Sequence, residues 1–172
     1  MVFLVGGANS VSGYNIENSI RFNSGDDAKL QITAGSNSNR EKSTFSGWFK
    51  VAQDTGADQS IFSCADGGHQ PHIKIDATSE QINVRVSDSE GWNVKTSQSF
   101  RDYSAWYHLV VAMDTTQGTA ANRLKIYVNG SQVTSLSTTD YPDEDANTAW
   151  NSNTELVLGR DVTTDNKPLT AT

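Results

Sequence analysis

The residues of this sequence that could carry out chemistry are its carboxylates, its histidines and the aromatic residues of its loops. A glycoside hydrolase needs two carboxylates that face one groove, and a strand presents such a pair in a pattern like E-x-D-x-E. This pattern is absent: the acids of Asp88–Glu90 precede a Gly-Trp turn, and those of Asp140–Thr148 surround a proline. We therefore expect no enzyme.

Two of the three histidines are close enough in sequence to suggest a metal site. His69 and His72 are three residues apart, but Pro71 interrupts them, so no helix can place both rings on one side. The pattern is more typical of a turn that enters a strand. We interpret His108, in an apolar segment, as a hydrogen-bonded packing residue.

Acidic residues in predicted loops offer the oxygen ligands that Ca²⁺ prefers. The predicted metal ligands are Asp140, Asp143 and Asp145, and further candidate acids are Asp26, Asp27, Glu144 and Asp161. Their spacing does not match an EF-hand loop, so the sequence specifies no particular site. Ca²⁺ is the one cofactor that these residues suggest, and the alternative is that they keep the loops soluble.

Aromatic side chains are a second kind of ligand platform, because a sugar stacks its apolar face on an exposed ring. Trp92, Tyr141 and Trp150 fall in or near predicted loops and are the predicted ligand-binding residues. The alternative for Trp92 is packing against the flank of the domain. Trp48 and Trp106 lie in strand patterns, so we expect both in the core.

Short strands must position these residues, because apolar residues recur at every second position. The segments are "YNIENSIRFN", "AKLQIT", "STFSGWFKVAQ", "QSIFSCA", "HIKID", "QINVRVSD", "GWNVKTSQSF", "AWYHLVVAMD", "RLKIYVNG", "SQVTSL" and "TELVLGRDV". In "QINVRVSD", Ile82, Val84 and Val86 point one way. Both faces of "AWYHLVVAMD" are apolar, which predicts a central strand buried on two sides.

Asn129-Gly130 predicts a type I′ hairpin. These strands predict an all-β fold, an antiparallel β-sandwich of the jelly-roll kind.

Charge and length exclude several classes of partner. The net charge is −7 and the sequence contains no basic run, so the positive surface expected of a nucleic-acid-binding protein is missing. The opening "MVFLVGG" is too short for a signal peptide or a spanning helix, so we expect cytoplasmic synthesis and no membrane insertion. Cys64 is the single cysteine, which excludes an intrachain disulfide, and we expect it in the core.

The chain divides into three predicted parts: an N-terminal arm at residues 1–13, a sandwich at 14–162 and a polar tail at 163–172. The arm joins an apolar segment to the body through a Gly- and Ser-containing tether. Its residues Val2, Phe3, Leu4 and Val5 could add a strand to a partner's open sheet, so we predict that they dock there.

Four segments in a fixed order carry a family resemblance: "NSIRFNSGDDAKLQIT", "STFSGWFKVA", "FRDYSAWYHLVVAMDTTQGTAANRLKIYVNGSQV" and "ELVLGRD". Together they resemble the concanavalin A-like lectin/glucanase superfamily, in its laminin-G-like or pentraxin-like branch. The resemblance covers roughly residues 14–162 and implies a concanavalin A-like jelly roll.

The stretch Phe100–Val133 further resembles domains in virion structural proteins of marine bacteriophages. That resemblance implies a non-enzymatic virion surface protein, such as a capsid decoration, knob or fibre component, with other virion proteins as partners. The alternative that the superfamily implies is a carbohydrate-binding adhesin, Ca²⁺-dependent as in some relatives, which recognises a host surface polysaccharide.

One departure from the family bears on assembly. In the family, the strand that resembles "ELVLGRD" is followed by a segment like "F-x-G-x-[IL]-x-E-[VI]", and this sequence has none. The place of that strand is then open, filled by Val2–Val5, or filled by a neighbouring subunit. Since an open strand edge invites pairing, we expect a homo-oligomer.

Overall fold

The computed structural model describes residues 18–23, 26, 28–51, 56–64, 71–86 and 91–162. Several predictions fall outside these ranges: the arm at 1–13 with Val2, Phe3, Leu4 and Val5, the tail at 163–172, Asp27, His69 and Asp88–Glu90.

The described residues form two antiparallel sheets, which confirms the predicted all-β sandwich. In spatial order, the larger sheet comprises β1 (Leu30–Thr33), β11 (Glu155–Leu158), β3 (Gln59–Cys64), β4 (Pro71–Ile75), β5 (Gln81–Val86), β6 (Asn93–Ser99) and β10 (Leu136–Asp140). The smaller sheet comprises β2 (Lys42–Phe49), β7 (Tyr107–Asp114), β8 (Leu124–Val128) and β9 (Ser131–Gln132). A short helix, α1 (Ala120–Arg123), lies between β7 and β8, and a 3₁₀ turn (Ala149–Asn151) precedes β11. The architecture is that of a concanavalin A-like jelly roll.

The core lies between the two sheets, because each central strand turns every second side chain inward. Ile82 and Val84 of β5 are completely buried, as are Leu109 and Val111 of β7. Each such side chain contributes about 1.5–3 kcal/mol by leaving water. Cys64 is also completely buried and belongs to the core, as predicted.

Strand β7 differs from its prediction because only one of its faces is fully buried. Leu109, Val111 and Met113 face the core, whereas His108 and Val110 are half-exposed. The prediction of burial on two sides is wrong, because the outer face of the smaller sheet is open to solvent.

The hairpin between β8 and β9 was predicted correctly. Asn129 and Gly130 have φ angles of 51° and 81°, the left-handed values that a type I′ turn requires at both central residues. The backbone N–H of His108 donates to Asn129 Oδ1 (2.9 Å), and the N–H of Asn129 donates to the His108 carbonyl (2.8 Å). The turn is thereby tied to the start of β7.

The two ends of the sandwich depart from the predicted strands. The described part of "YNIENSIRFN", residues 18–23, is not a strand: Ile20 is 62% exposed, while Phe22 packs against the core. The predicted return strand "SQVTSL" divides into the two residues of β9 and the start of β10, which crosses to the larger sheet.

Candidate functional site

The loop aromatics are not the surface platform that the sequence predicts. Trp92 is 5% exposed and Trp150 is 3% exposed, and both belong to the core, with Tyr141 packed against it. The rings of Trp150 and Phe62 pack edge to face, with their centroids 5.4 Å apart. The three predicted ligand-binding residues therefore pack against the interior of the sandwich, which excludes Trp92 and Trp150 as stacking surfaces for a sugar.

Two tryptophans that the sequence places in the core are exposed instead. Trp48 is 53% exposed and Trp106 is 49% exposed. In β2 the inward positions are taken by Phe45 and Phe49, so the alternation of the strand turns Trp48 outward. Trp106 precedes the first residue of β7. The prediction that both tryptophans lie in the core is therefore wrong, because the packing of the two sheets leaves them exposed to solvent.

Trp48 is held in place by its neighbour on β7. Trp48 and His108 are directly opposite in the register, and their rings stack with centroids 5.0 Å apart and planes inclined by 27°. His108 Nε2 and Ser46 Oγ form a hydrogen bond of 3.0 Å. His108 is therefore the hydrogen-bonded packing residue that was predicted, and it supports an exposed ring.

The same outer face continues along the strands as two further rows of side chains, which include hydroxyl groups and a lysine. Ser46, Val110 and Tyr127 form the row next to the Trp48–His108 pair, and Thr44, Ala112 and Lys125 form the following one. We call these three rows, from Trp48 to Lys125, the aromatic–polar face. From His108 to Ala112 the face extends about 13 Å, since four residues of strand rise about 3.3 Å each.

A depression of about 660 Å³ lies at the far end of the aromatic–polar face. Its lining includes Lys42, Thr44, Ala112, Asp114, Gln117, Asn122, Lys125 and Asn151. Hydrogen bonds from the hydroxyl of Thr116 and the amide of Gln117, together with Lys42 at 3.4 Å, lower the pKa of Asp114 to about 2. Asp114 is therefore a fixed anion in a site whose other polar lining residues are donors, hydroxyls and amides.

The outer side of the larger sheet carries charges that are paired with one another. Lys74 Nζ lies 2.5 Å from Asp58 Oδ2, and Lys95 Nζ lies 2.9 Å from Asp76 Oδ2. His72 Nδ1 lies 3.6 Å from Asp161 Oδ2, with both side chains buried. Each of these carboxylates faces a basic group, whereas hydrolysis of a glycoside uses two carboxylates on opposite sides of one bond.

The pair formed by Asp76 makes a pH-dependent prediction. Burial alone would raise the pKa of Asp76, but hydrogen bonds from Lys95, Ser79 and Thr78 outweigh it and hold the pKa well below its ordinary value. A carboxylate whose folded pKa is lowered contributes stability that is complete above about pH 5 and is lost as the pH falls through the folded pKa.

We therefore expect the melting temperature of Asp76→Asn to fall less steeply between about pH 5 and pH 2 than that of the wild type. Differential scanning fluorimetry across this range measures the effect. The exposed Asp143→Asn is the matched control, and its curve should run parallel to the wild type. Parallel curves for Asp76→Asn as well would contradict the role of Asp76.

The predicted calcium ligands are not brought together as a set. Within the described ranges, no group of three or more His, Cys, Asp or Glu side chains could hold a metal ion. Asp140 ends β10, while Asp143 and Asp145 are exposed in the loop that follows. That loop is organised by Arg123, which donates to the Pro142 carbonyl (3.1 Å) and to Glu144 (3.0 Å).

None of the helices in the described part of the chain has the length and apolar character needed to cross a membrane.

The sequence of residues 23–172 matches the model of a laminin G-type family that is described as the concanavalin A-like lectin/glucanases superfamily. The chain belongs to the concanavalin A-like lectin/glucanases superfamily. No curated protein sequence is significantly similar to it.

Two solved structures are similar in fold. Domain 4 of AbnA, a GH43 extracellular arabinanase from Geobacillus stearothermophilus in complex with arabinotriose, aligns with a TM-score of 0.61 and 22% identity over 83% of this chain and 62% of that one. The mouse laminin α1 chain, domains LG4-5, aligns with a TM-score of 0.51 and 10% identity over 84% of this chain and 34% of that one. This chain thus matches less than two thirds of either structure, and at these identities the likeness shows the fold alone.

Proposed function

We propose that this chain is a non-enzymatic carbohydrate-binding module whose ligand, a host surface polysaccharide, lies across the aromatic–polar face. The observation that carries the proposal is the half-exposed ring of Trp48, stacked on His108 at the edge of a polar sheet surface. The apolar face of a pyranose or furanose ring can stack on such an indole. The hydroxyl groups in the rows beyond it, and the amides that line the depression, can then bind the hydroxyls of the following sugars.

The rigidity of the face supports binding without a large ordering cost. Trp48, His108 and Lys125 all lie on strands that are hydrogen-bonded to one another, so their backbones are already ordered. His108 is also fixed by Ser46 and by Asn129. Ligand sites on rigid elements lose less conformational entropy on binding than sites on loops.

The same face supports a module without hydrolytic activity. Among the described residues, Asp114 is the carboxylate that lines the depression, and it is already bound by Lys42, Thr116 and Gln117. A glycoside hydrolase uses a second carboxyl group as its acid or nucleophile. We expect no release of reducing sugar from any polysaccharide that the chain binds.

Replacing Trp48 by alanine is expected to weaken polysaccharide binding at least tenfold, because the stacking surface is removed. Isothermal titration against a panel of soluble polysaccharides, including arabinan, β-glucan and alginate, measures the effect. Trp48→Phe should retain part of the affinity, since it keeps a ring.

The matched control is Ile32→Ala, which removes a comparable exposed apolar side chain, 67% exposed, from β1 at the edge of the larger sheet. Its affinity should equal that of the wild type. If Trp48→Ala binds as tightly as Ile32→Ala, the ligand lies elsewhere. If no polysaccharide binds the wild type, the proposed function is wrong.

The location of the module, in this proposal, is the surface of a bacteriophage virion, where capsid or tail proteins hold it and further copies of the chain assemble with it. The support is the resemblance of Phe100–Val133 to virion structural proteins. A particle protein that binds host polysaccharide would keep the phage near its host. Mass spectrometry of purified particles tests the location, and absence of the chain from them would exclude it.

A further inference from the structure

Among the residues that the structure describes, Lys125 is a cation without a partner, and it lies at the far end of the aromatic–polar face. It lies on β8 directly opposite Ala112, which in turn is opposite Thr44 on β2. No carboxylate occupies this row, and among the described residues Lys125 makes no hydrogen bond or ion pair. Its ammonium group therefore keeps three donors available.

Ala112 contributes only a methyl side chain to the depression at this row. Lys125, Lys42 and Gln117 line the same depression. Asn122 of α1 adds an amide to the lining. A ligand group that enters the depression thus meets amide and ammonium donors from several sides.

The carboxylate of Asp114, which could otherwise neutralise the Lys125 ammonium, is already bound to other side chains. Its Oδ1 accepts the hydroxyl of Thr116 at 2.6 Å, and its Oδ2 accepts the amide of Gln117 at 2.9 Å and lies 3.4 Å from Lys42 Nζ. The lowered pKa of Asp114 reflects the same contacts. Its charge is consequently balanced before any ligand arrives.

The charge of the depression is opposite to that of the whole protein. Lys42 and Lys125 against Asp114 leave a local charge of +1, whereas the chain carries −7. A concave site whose charge differs in sign from its surroundings selects ligands of the complementary charge.

We propose that the polysaccharide is acidic, and that a carboxylate or sulfate group of one of its sugars lies in the depression and accepts hydrogen bonds from the Lys125 ammonium. A sugar further along the same polymer stacks on Trp48, about 13 Å away along the strands. This inference rests on the proposed function and specifies the chemical class of its ligand.

The test compares matched polymers that differ only in charge. Alginate is measured against carboxyl-reduced alginate, in which each carboxylate is replaced by a neutral hydroxymethyl group, and dextran sulfate is measured against dextran. The wild type should bind the charged member of at least one pair about tenfold more tightly, as expected for a charge-assisted hydrogen bond. This preference should shrink as the salt concentration rises.

Variants at Lys125 and at Trp48 separate the contributions of the two ends of the aromatic–polar face to binding. Lys125→Gln should reduce the preference to about twofold or less, while Lys125→Arg should retain it. Trp48→Ala should weaken the binding of both members of a pair equally. The control is Lys29→Gln, which removes a lysine charge from the larger-sheet side, where Lys29 pairs with Glu155, and should leave the preference unchanged.

The outcomes distinguish this inference from the proposed function. Equal binding of charged and neutral polymers, still dependent on Trp48, would overturn the acidic ligand while the carbohydrate-binding module stands. Loss of preference in Lys29→Gln as large as in Lys125→Gln would show a general charge effect and overturn the site. Tighter, Lys125-dependent binding of single-stranded DNA than of any polysaccharide would overturn the ligand class.

Discussion

Lys74→Met should destabilise the protein by about 3 kcal/mol, because it removes the cation that forms an ion pair with the mostly buried Asp58 carboxylate. Lys74 is 9% exposed, and its Nζ lies 2.5 Å from Asp58 Oδ2. Asp58 Oδ1 accepts the backbone N–H of Ala77 at 3.0 Å, which fixes the carboxylate but adds no positive charge. The residues beside Lys74 on β3 and β5, Ser60 and Asn83, are neutral.

Urea unfolding followed by tryptophan fluorescence measures this loss of stability. The matched control is Lys29→Met, which breaks the exposed Lys29–Glu155 pair of 3.3 Å and should cost less than about 0.5 kcal/mol. Adding Asp58→Asn to Lys74→Met should recover part of the lost stability, since the buried charge that lost its ion pair is then removed as well. Equal losses for the two single variants would show that burial of the Lys74 pair is unimportant.

Lys74→Met also tests whether the charged pairs of the larger sheet are independent of the ligand face on the smaller sheet. Lys74 lies on the larger sheet, whereas the aromatic–polar face lies on the smaller one. At a temperature where Lys74→Met remains folded, its affinity for polysaccharide should therefore equal that of the wild type. The charged pairs of the larger sheet and the ligand face would then be independent.

Strand positions could be predicted from the sequence where one face of a strand packs on the core. In β8 the alternation of Leu124, Ile126 and Val128 with polar residues matches the observed burial, with all three at 8% exposed or less. The edge strand β10 has no such alternation, because it pairs with β6 on one side only and is mostly exposed. Its existence depends on a distant partner, which local periodicity does not reveal.

The assignment of the tryptophans failed for a different physical reason. A strand pattern shows which side chains share a face, but the packing of the second sheet decides which face is buried. Phe45 and Phe49 face the other sheet, and Trp48 is left in solvent. Conversely, Trp92 and Trp150 lie outside the strands yet fold inward against the core.

The Lys125 cation, which has no partner among the described residues, was likewise beyond prediction from the sequence. Its lack of a partner depends on the register that places Ala112 and Thr44 beside it. It also depends on Asp114 being bound by Lys42, more than 70 residues earlier in the chain. A shift of one residue in either pairing would turn a different set of side chains outward.

The second large effect is expected for Gly159→Ala, which should lower the free energy of unfolding by about 3 kcal/mol. Gly159 has a φ of +81°, which costs an alanine about 1 kcal/mol. In addition, a Cβ at this position would lie 2.4 Å from Cδ1 of Phe22, so the ring would have to leave its contact with the core. The loss of that buried area supplies the rest.

A matched glycine separates the two contributions. Gly130 also has a φ of +81°, but nothing lies within 4 Å of its Cβ position, so Gly130→Ala should cost only about 1 kcal/mol. In a Phe22→Ala background, Gly159→Ala should likewise cost about 1 kcal/mol, because the obstructing ring is gone. If Gly159→Ala still cost about 3 kcal/mol of stability in the Phe22→Ala background, the whole loss would come from backbone strain at residue 159. The expected cycle would instead show that the close approach of Phe22 to Gly159 is the source of the additional loss.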